Sequence, residues 1–178
     1  MKLQNLLEHR RSVRLFSDKK SIPPDDIEDC LRQATLAPTS SNMQLWQFIH
    51  LVDSSWRDGL TKACLGQKAA STATQWVVFV TRQDFFQSRA KFLLNSEILN
   101  IERNSPKQRQ TKRIALRKVY YGKLMPLLYA RFFRLLGIIR KLIVLIMGIF
   151  RPVVREVSET QIRTVVHKSC ALAAQTFM

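Results

Sequence analysis

Two short stretches carry the residue types that could hold a polar ligand. The first is Ala37-Pro38-Thr39-Ser40-Ser41-Asn42-Met43-Gln44-Leu45-Trp46, a polar run set between a helical pattern and an apolar segment. Pro38 disfavours helical geometry at Ala37 and has no backbone donor, so a helix must stop before it. Thr39, Ser40, Ser41 and Asn42 then offer hydroxyls and an amide to nearby backbone or to a ligand, and Gln44 adds a further donor and acceptor. Leu45 and Trp46 pin the far end. The second stretch is Arg10-Arg11-Ser12-Val13-Arg14-Leu15-Phe16, where three guanidinium groups surround one hydroxyl. Arginine forks match phosphate oxygens, each charge-assisted bond contributing about 1.5–3 kcal/mol when shielded from water. Taken singly, the first stretch also reads as an ordinary capped turn and the second as a solvated basic helix end.

Periodicity supplies the elements that must position these residues. Leu3, Leu6 and Leu7 predict a short helix over 2–10 that buries one leucine stripe and delivers Arg10 at its polar end. The run from Val13 to Phe16 reads as extended. Asp25 with Glu28 resembles a capping box, opening a helix whose apolar face of Ile27, Cys30, Leu31 and Ala34 leads to Ala37. The polar loop therefore starts at that helix's C-terminus. Trp46 to Val52 alternates and reads as a strand, followed by a helix over about 55–73 with Leu60, Ala63, Cys64 and Ala70 toward the core. Trp76 to Val80 is continuously apolar, as expected of a central strand covered on both faces. Ser158 with Gln161 forms a second candidate capping box, opening a helix striped by Ile162, Val165, Val166, Ser169, Ala173 and Phe177.

Together and in this order, the two stretches resemble the nitroreductase family of flavin enzymes. That family carries R-(R/H)-S-x-(R/K) near the N-terminus and later A-P-(S/T)-S-x-N-x-Q-P-W, and this sequence reads RRSVR and APTSSNMQLW. Leu45 departs from the family's usual proline, which would loosen the loop without removing a polar contact. The resemblance implies an α+β fold with a central mixed sheet flanked by helices, a homodimer binding FMN at its interface, and NADH or NADPH as reductant. It implies hydride transfer through the flavin to a nitroaromatic, quinone or similar acceptor. Carried over by position, Arg10, Ser12 and Arg14 would hold the FMN phosphate and ribityl chain, with Arg11 adjacent. Pro38, Thr39, Ser40, Asn42 and Gln44 would approach the flavin of the partner subunit. Gln67 resembles a position where a polar side chain reaches the flavin edge, and a solvent-facing glutamine fits it as well. The run from His167 to Met178 resembles the family's long interface helix, with His167 a hydrogen-bonding residue rather than a base. No catalytic side chain is implied, because the cofactor performs the chemistry.

At 178 residues, one core and one domain are expected, here a partial nitroreductase-like domain over 1–178. Three widely spaced cysteines argue against a disulfide framework and for a reducing compartment, and they are expected to be buried. His9, His50 and His167 share no metal-ligand spacing, so no metal site is expected. The N-terminus lacks a signal-peptide pattern, which points to the cytoplasm. The net charge of +16 is concentrated: residues 87–155 hold 16 Lys and Arg against two Glu, a surplus of 14. The family places a variable, often lid-forming excursion here, and this one is unusually basic.

Within it, Leu135 to Phe150 holds twelve apolar residues interrupted by Arg140 and Lys141. On an insertion scale the apolar residues give about −4 to −7 kcal/mol and the two cations cost about +5 to +7, so the contributions cancel. Sixteen residues also fall short of the roughly 20 a helical span requires. Two readings stay open for 119–155, which also carries Lys123, Arg131 and Arg134. One is an amphipathic helix docked on an anionic membrane, the basis of an alternative, non-catalytic function at the inner membrane surface. The other is a lid or dimer-wrapping helix packed on protein. Nucleic acid is the weakest of the partner classes, since no recognised motif surrounds these cations. Finally, the apolar helical pattern stops at Met178 without a cap, which predicts a C-terminally truncated family member whose activity as a fragment is in question.

Overall fold

Turn chemistry and apolar spacing decide where each helix of this chain starts and stops. In a computed structural model the described residues are 3–132 and 135–178. Arg134 therefore lies outside them, as does the side chain of Leu3. The chain forms helices α1 (Leu3–His9), α2 (Pro24–Ala34), α3 (Arg57–Ala63), α4 (Lys68–Thr72), α5 (Phe86–Asn104), α6 (Lys107–Val119), α7 (Met125–Tyr129), α8 (Leu135–Phe150) and α9 (Glu159–Phe177). The strands are β1 (Trp46–Leu51) and β2 (Trp76–Thr81). The α+β class holds. Among the described residues the sheet has two strands rather than the larger mixed sheet expected. Only these two segments combine strand length with a β-branched and aromatic run; elsewhere the aliphatics fall at helical spacing. The Arg82 N–H donates to the Leu45 carbonyl at 2.8 Å, setting the end of β2 beside the start of β1 in antiparallel sense. With one neighbour, β2 is half-buried throughout rather than enclosed on both faces.

The chain divides into two compact units. The first comprises Met1–Ala37, Phe48–Val80 and Ala173–Met178. Its aromatic contacts run from Phe48 to Phe79, with ring centroids 4.9 Å apart, and from Phe79 to Phe177 at 5.5 Å. Leu6 and Leu7 on α1 stay 47% and 58% exposed, so the leucine stripe is not buried as expected. Spacing identifies an apolar face but not whether a neighbour covers it. No capping box opens α2: Pro23 is its N-cap and Pro24 fixes the first turn, which already places Asp25 inside the helix, beside the positive end of its dipole.

The helix expected over 55–73 is broken in two. Leu65 and Gly66 adopt left-handed φ values of 56° and 73°. The Gly66 N–H donates to Thr61 O and the Leu65 N–H to Lys62 O, closing a Schellman motif at the end of α3. Ala63 and Cys64 consequently face solvent, while Ala70 is buried. Cys30 is exposed as well, so Cys170 alone of the three cysteines is buried.

The second unit comprises Pro38–Gln47 and Thr81–Leu172. Its core joins Met43 and Leu45 to Ala90 and Leu93 of α5, Tyr121, Met125 and Tyr129 further along, and Ile162 and Val166 of α9. Part of the basic segment 87–155 thus builds this core. Between α6 and α7 the helix widens to a π turn over Tyr120–Leu124. The box at Ser158 forms: the Ser158 N–H donates to Gln161 Oε1 at 3.1 Å and the Gln161 N–H to Ser158 Oγ at 3.2 Å.

Candidate functional site

The basic stretch lies in the first unit, where α1 runs out. The Arg10 N–H still donates to Leu6 O, and then a tight turn closes with the Val13 N–H on Arg11 O, each at 3.0 Å. Arg10, Arg11, Ser12 and Arg14 are all exposed. Arg11 Nη1 donates to the Arg10 carbonyl at 2.8 Å, and among the described residues no carboxylate pairs with any of the three arginines. Their charge is therefore free for an anion. Just beyond, the Phe16 N–H donates to Thr72 Oγ1 at 3.0 Å, fastening the stretch to α4. Gln67, exposed, occupies the N-cap position of that same helix without a capping bond.

The polar loop belongs to the second unit, and its backbone is its distinguishing feature. Ser41, Asn42 and Gln44 take positive φ values of 53°, 54° and 48°. For non-glycine residues this region is sparsely populated, and such strain persists only where surrounding contacts enforce it. Here the contacts are visible. Met43 and Leu45 are sunk in the core at 1% and 4% exposure, so side chains alternate between anchoring inward and projecting outward. Leu45, at the family's proline position, is therefore an anchor, and its carbonyl accepts the Arg82 N–H. Within the loop the Gln44 N–H donates to Thr39 Oγ1 at 3.2 Å and Gln44 Nε2 to Asn42 Oδ1 at 2.9 Å. Pro38, Ser40 and Asn42 are exposed, while Thr39 and Gln44 are half-buried.

Three tyrosines brace the loop from below, and sequence reasoning had not singled them out. Tyr120 Oη lies 2.8 Å from Ser41 Oγ, and Tyr121 Oη donates to the Ser41 carbonyl at 3.0 Å. Tyr129 hydrogen-bonds to Ser40. Burial pushes the phenols of Tyr121 and Tyr129 above the ordinary tyrosine range and keeps both protonated, Tyr121 as a donor to the loop and Tyr129 as the acceptor from Ser40, a bond that acts in the opposite sense on its pKa. On α9, Ser169 Oγ accepts the Ser40 N–H at 3.4 Å and donates to Val165 O at 3.0 Å. The adjacent phenols on the π turn were the available signal. Their partner lies some eighty positions earlier, beyond the reach of a local reading.

At the end of β2, Arg82 forks onto Asp84 with Nη2 2.7 Å from Oδ2, bonds Gln47 Oε1, and lies 3.5 Å over the Phe85 ring. The hydrogen bond from Arg82 holds the Asp84 carboxyl below its usual range. Nearby, an open cleft of about 820 Å³ is lined in part by Gln83, Tyr129, Arg131, Glu159 and Arg163. None of the loop residues predicted to meet a cofactor lines it.

Over 70 residues the chain is 37% identical to a protein of Archaeoglobus fulgidus described as an NADH dehydrogenase/NAD(P)H nitroreductase. That alignment takes in 39% of this chain and 40% of the relative's length. Among solved structures, a nitroreductase family protein of Streptococcus pneumoniae superposes with a TM-score of 0.62 at 20% identity, covering 99% of this chain and 69% of that one. A protein of Exiguobacterium sibiricum, described as a nitroreductase in complex with FMN, gives 0.59 at 18% identity, covering 100% and 68%. At such identities the likeness is one of fold. The nitroreductase family model matches residues 7–178, and on that match the chain belongs to the nitroreductase family.

Proposed function

We propose that this chain serves an FMN-dependent oxidoreductase that draws reducing equivalents from NAD(P)H. The supporting observation is the loop at Pro38–Gln44: a strained backbone held by buried tyrosines, presenting exposed amide and hydroxyl groups in the family's order. The donor set fits the cofactor. Arg10, Arg11 and Arg14 offer exposed guanidinium forks, without a carboxylate partner among the described residues, suited to a phosphate, and Ser12 a hydroxyl suited to the ribityl chain. Asn42 and Gln44 offer both donors and acceptors, as the edge of a flavin ring requires, with Thr39, Ser40 and Pro38 shaping the approach and Gln67 a further polar contact. Bound FMN supplies the redox chemistry, taking up a hydride and passing electrons to a nitroaromatic, quinone or similar acceptor. The side chains of the protein bind and orient. We infer a homodimer in which the loop of one copy meets the flavin anchored by the other. The exposed thiols of Cys30 and Cys64 suit a reducing, cytoplasmic setting.

The experiment is retention of FMN after desalting, read from flavin absorbance, with the affinity then measured by fluorescence quenching. Arg14→Ala should weaken FMN binding by about tenfold or more, the equivalent of one charge-assisted phosphate contact. Unchanged affinity in that variant contradicts the assigned role, and a wild-type chain that keeps no flavin counts against the cofactor itself.

A further inference from the structure

α8 is an amphipathic helix turned inside out. Its protein-facing stripe consists of Gly137 and Arg140, both buried, followed by the half-buried Val144 and Gly148. The opposite face exposes Ile138 at 57%, Leu145 at 63%, Ile146 at 59%, Ile149 at 75% and Phe150 at 82%. Two details lock this orientation. A Cβ on Gly137 would stand 3.1 Å from the Glu159 backbone nitrogen, so the helix approaches α9 by its glycine. Arg140 is then held by the carbonyls of Leu128 and Ala130, each at 2.6 Å, and of Val157 at 3.3 Å. Arg140 therefore faces inward, whereas the membrane-docked reading of 119–155 would set the cations of this segment on headgroups.

We propose that this outward face docks on an anionic lipid bilayer, with α8 lying in the headgroup plane and its aliphatic side chains in the acyl boundary. Among the described residues no helix is long and apolar enough to cross a membrane, which leaves an interfacial position. Charge complementarity selects the occupant. Exposed Lys141 on α8 and exposed Arg151 directly after it supply the charge at the margin of that face, and neither is ion-paired among the described residues. Arg155 lies instead against the protein-facing side, its Nη2 3.9 Å from where a Gly148 Cβ would be. From 135 to 158 the sequence sets one acidic residue, Glu156, against these cations. A second copy of the chain would cover the aliphatics but leave these cations without a counter-charge. Anionic headgroups neutralise them while the acyl chains cover the aliphatics. The docking face stands independently of any flavin.

The test is co-sedimentation with vesicles of phosphatidylcholine alone and of phosphatidylcholine mixed with phosphatidylglycerol, at low and high salt. The chain should pellet with the anionic vesicles, and added salt should release it. Leu145→Asp combined with Ile149→Asp, both at exposed positions, should cut the bound fraction by about tenfold or more with the circular dichroism spectrum unchanged. Leu65→Asp, at an exposed leucine of the first unit, should leave binding intact. Failure to pellet with anionic vesicles, equal pelleting with neutral ones, or undiminished binding by the double variant overturns the proposal. So does self-association abolished by the double variant in a chain that ignores lipid, which would assign the face to a second copy.

Discussion

At the scale of single residues, the loop before β1 is a strained backbone kept in place by phenols. Tyr121 both donates to Ser41 O and is pushed by burial to a higher pKa, with Glu97 and Tyr120 adding to the shift. A group whose pKa is raised on folding contributes stability that is complete below its unfolded value, here about 10, and is lost as pH climbs through the folded one. Tyr129 titrates in the same sense. Denaturant unfolding followed from pH 8 upward should therefore show stability falling steeply once pH passes about 10. Tyr121→Phe should flatten that fall while costing about 1 kcal/mol at neutral pH, because the Ser41 carbonyl loses its donor. The polar residue types of the loop were legible from the sequence because they are improbable filler beside Pro38. The phenols were not, since tyrosines fifteen and fourteen residues ahead of a lipophilic helix read as further apolar residues until folding brings Ser41 to them.

At the scale of elements, local chemistry was legible where two partners stand close in sequence. Ser158 and Gln161 cap α9 as their three-residue spacing predicts, whereas Asp25 and Glu28 fail because the preceding prolines set the helix start first. The break after α3 was missed for a related reason. Leu65, 90% exposed, occupies the left-handed position usually given to glycine, and its aliphatic side chain prolongs the helical pattern on paper. Leu65→Gly should relieve that strain and raise stability by about 0.5–1 kcal/mol, measured by urea denaturation. A loss of stability in that variant would mean that the side chain packs more than its exposure indicates. For α8 hydropathy gives the composition, but the inward turn of Arg140 depends on three carbonyls supplied by other segments.

At the scale of the whole molecule, the two candidate stretches belong to different compact units, the arginines to the first and the loop to the second. If flavin binding joins the arginines of one copy to the loop of another, cofactor and assembly are linked equilibria. A ligand that binds only the folded state stabilises it by about 2.7 kcal/mol at a hundredfold excess over its Kd. The melting temperature should rise with FMN, and at saturating FMN it should rise further with protein concentration. A concentration-independent midpoint would assign the whole site to one copy. The sequence motifs announce the ingredients of such a site, but assembly lies beyond any local pattern, since in the proposed dimer the second surface would come from another copy.

The widened turn at Tyr120–Leu124 has a consequence for how this chain can tolerate insertion and loss. It accommodates one residue more than a regular helix would in the same length, which is what lets two successive phenols address the same serine. Excising Gly122 would restore regular pitch and leave the helices on either side in register, so Met125 and Tyr129 would keep their places in the core. The widened turn is thus a local shim: the helices it joins would close up without it, and what would be lost is the paired grip of two phenols on one serine.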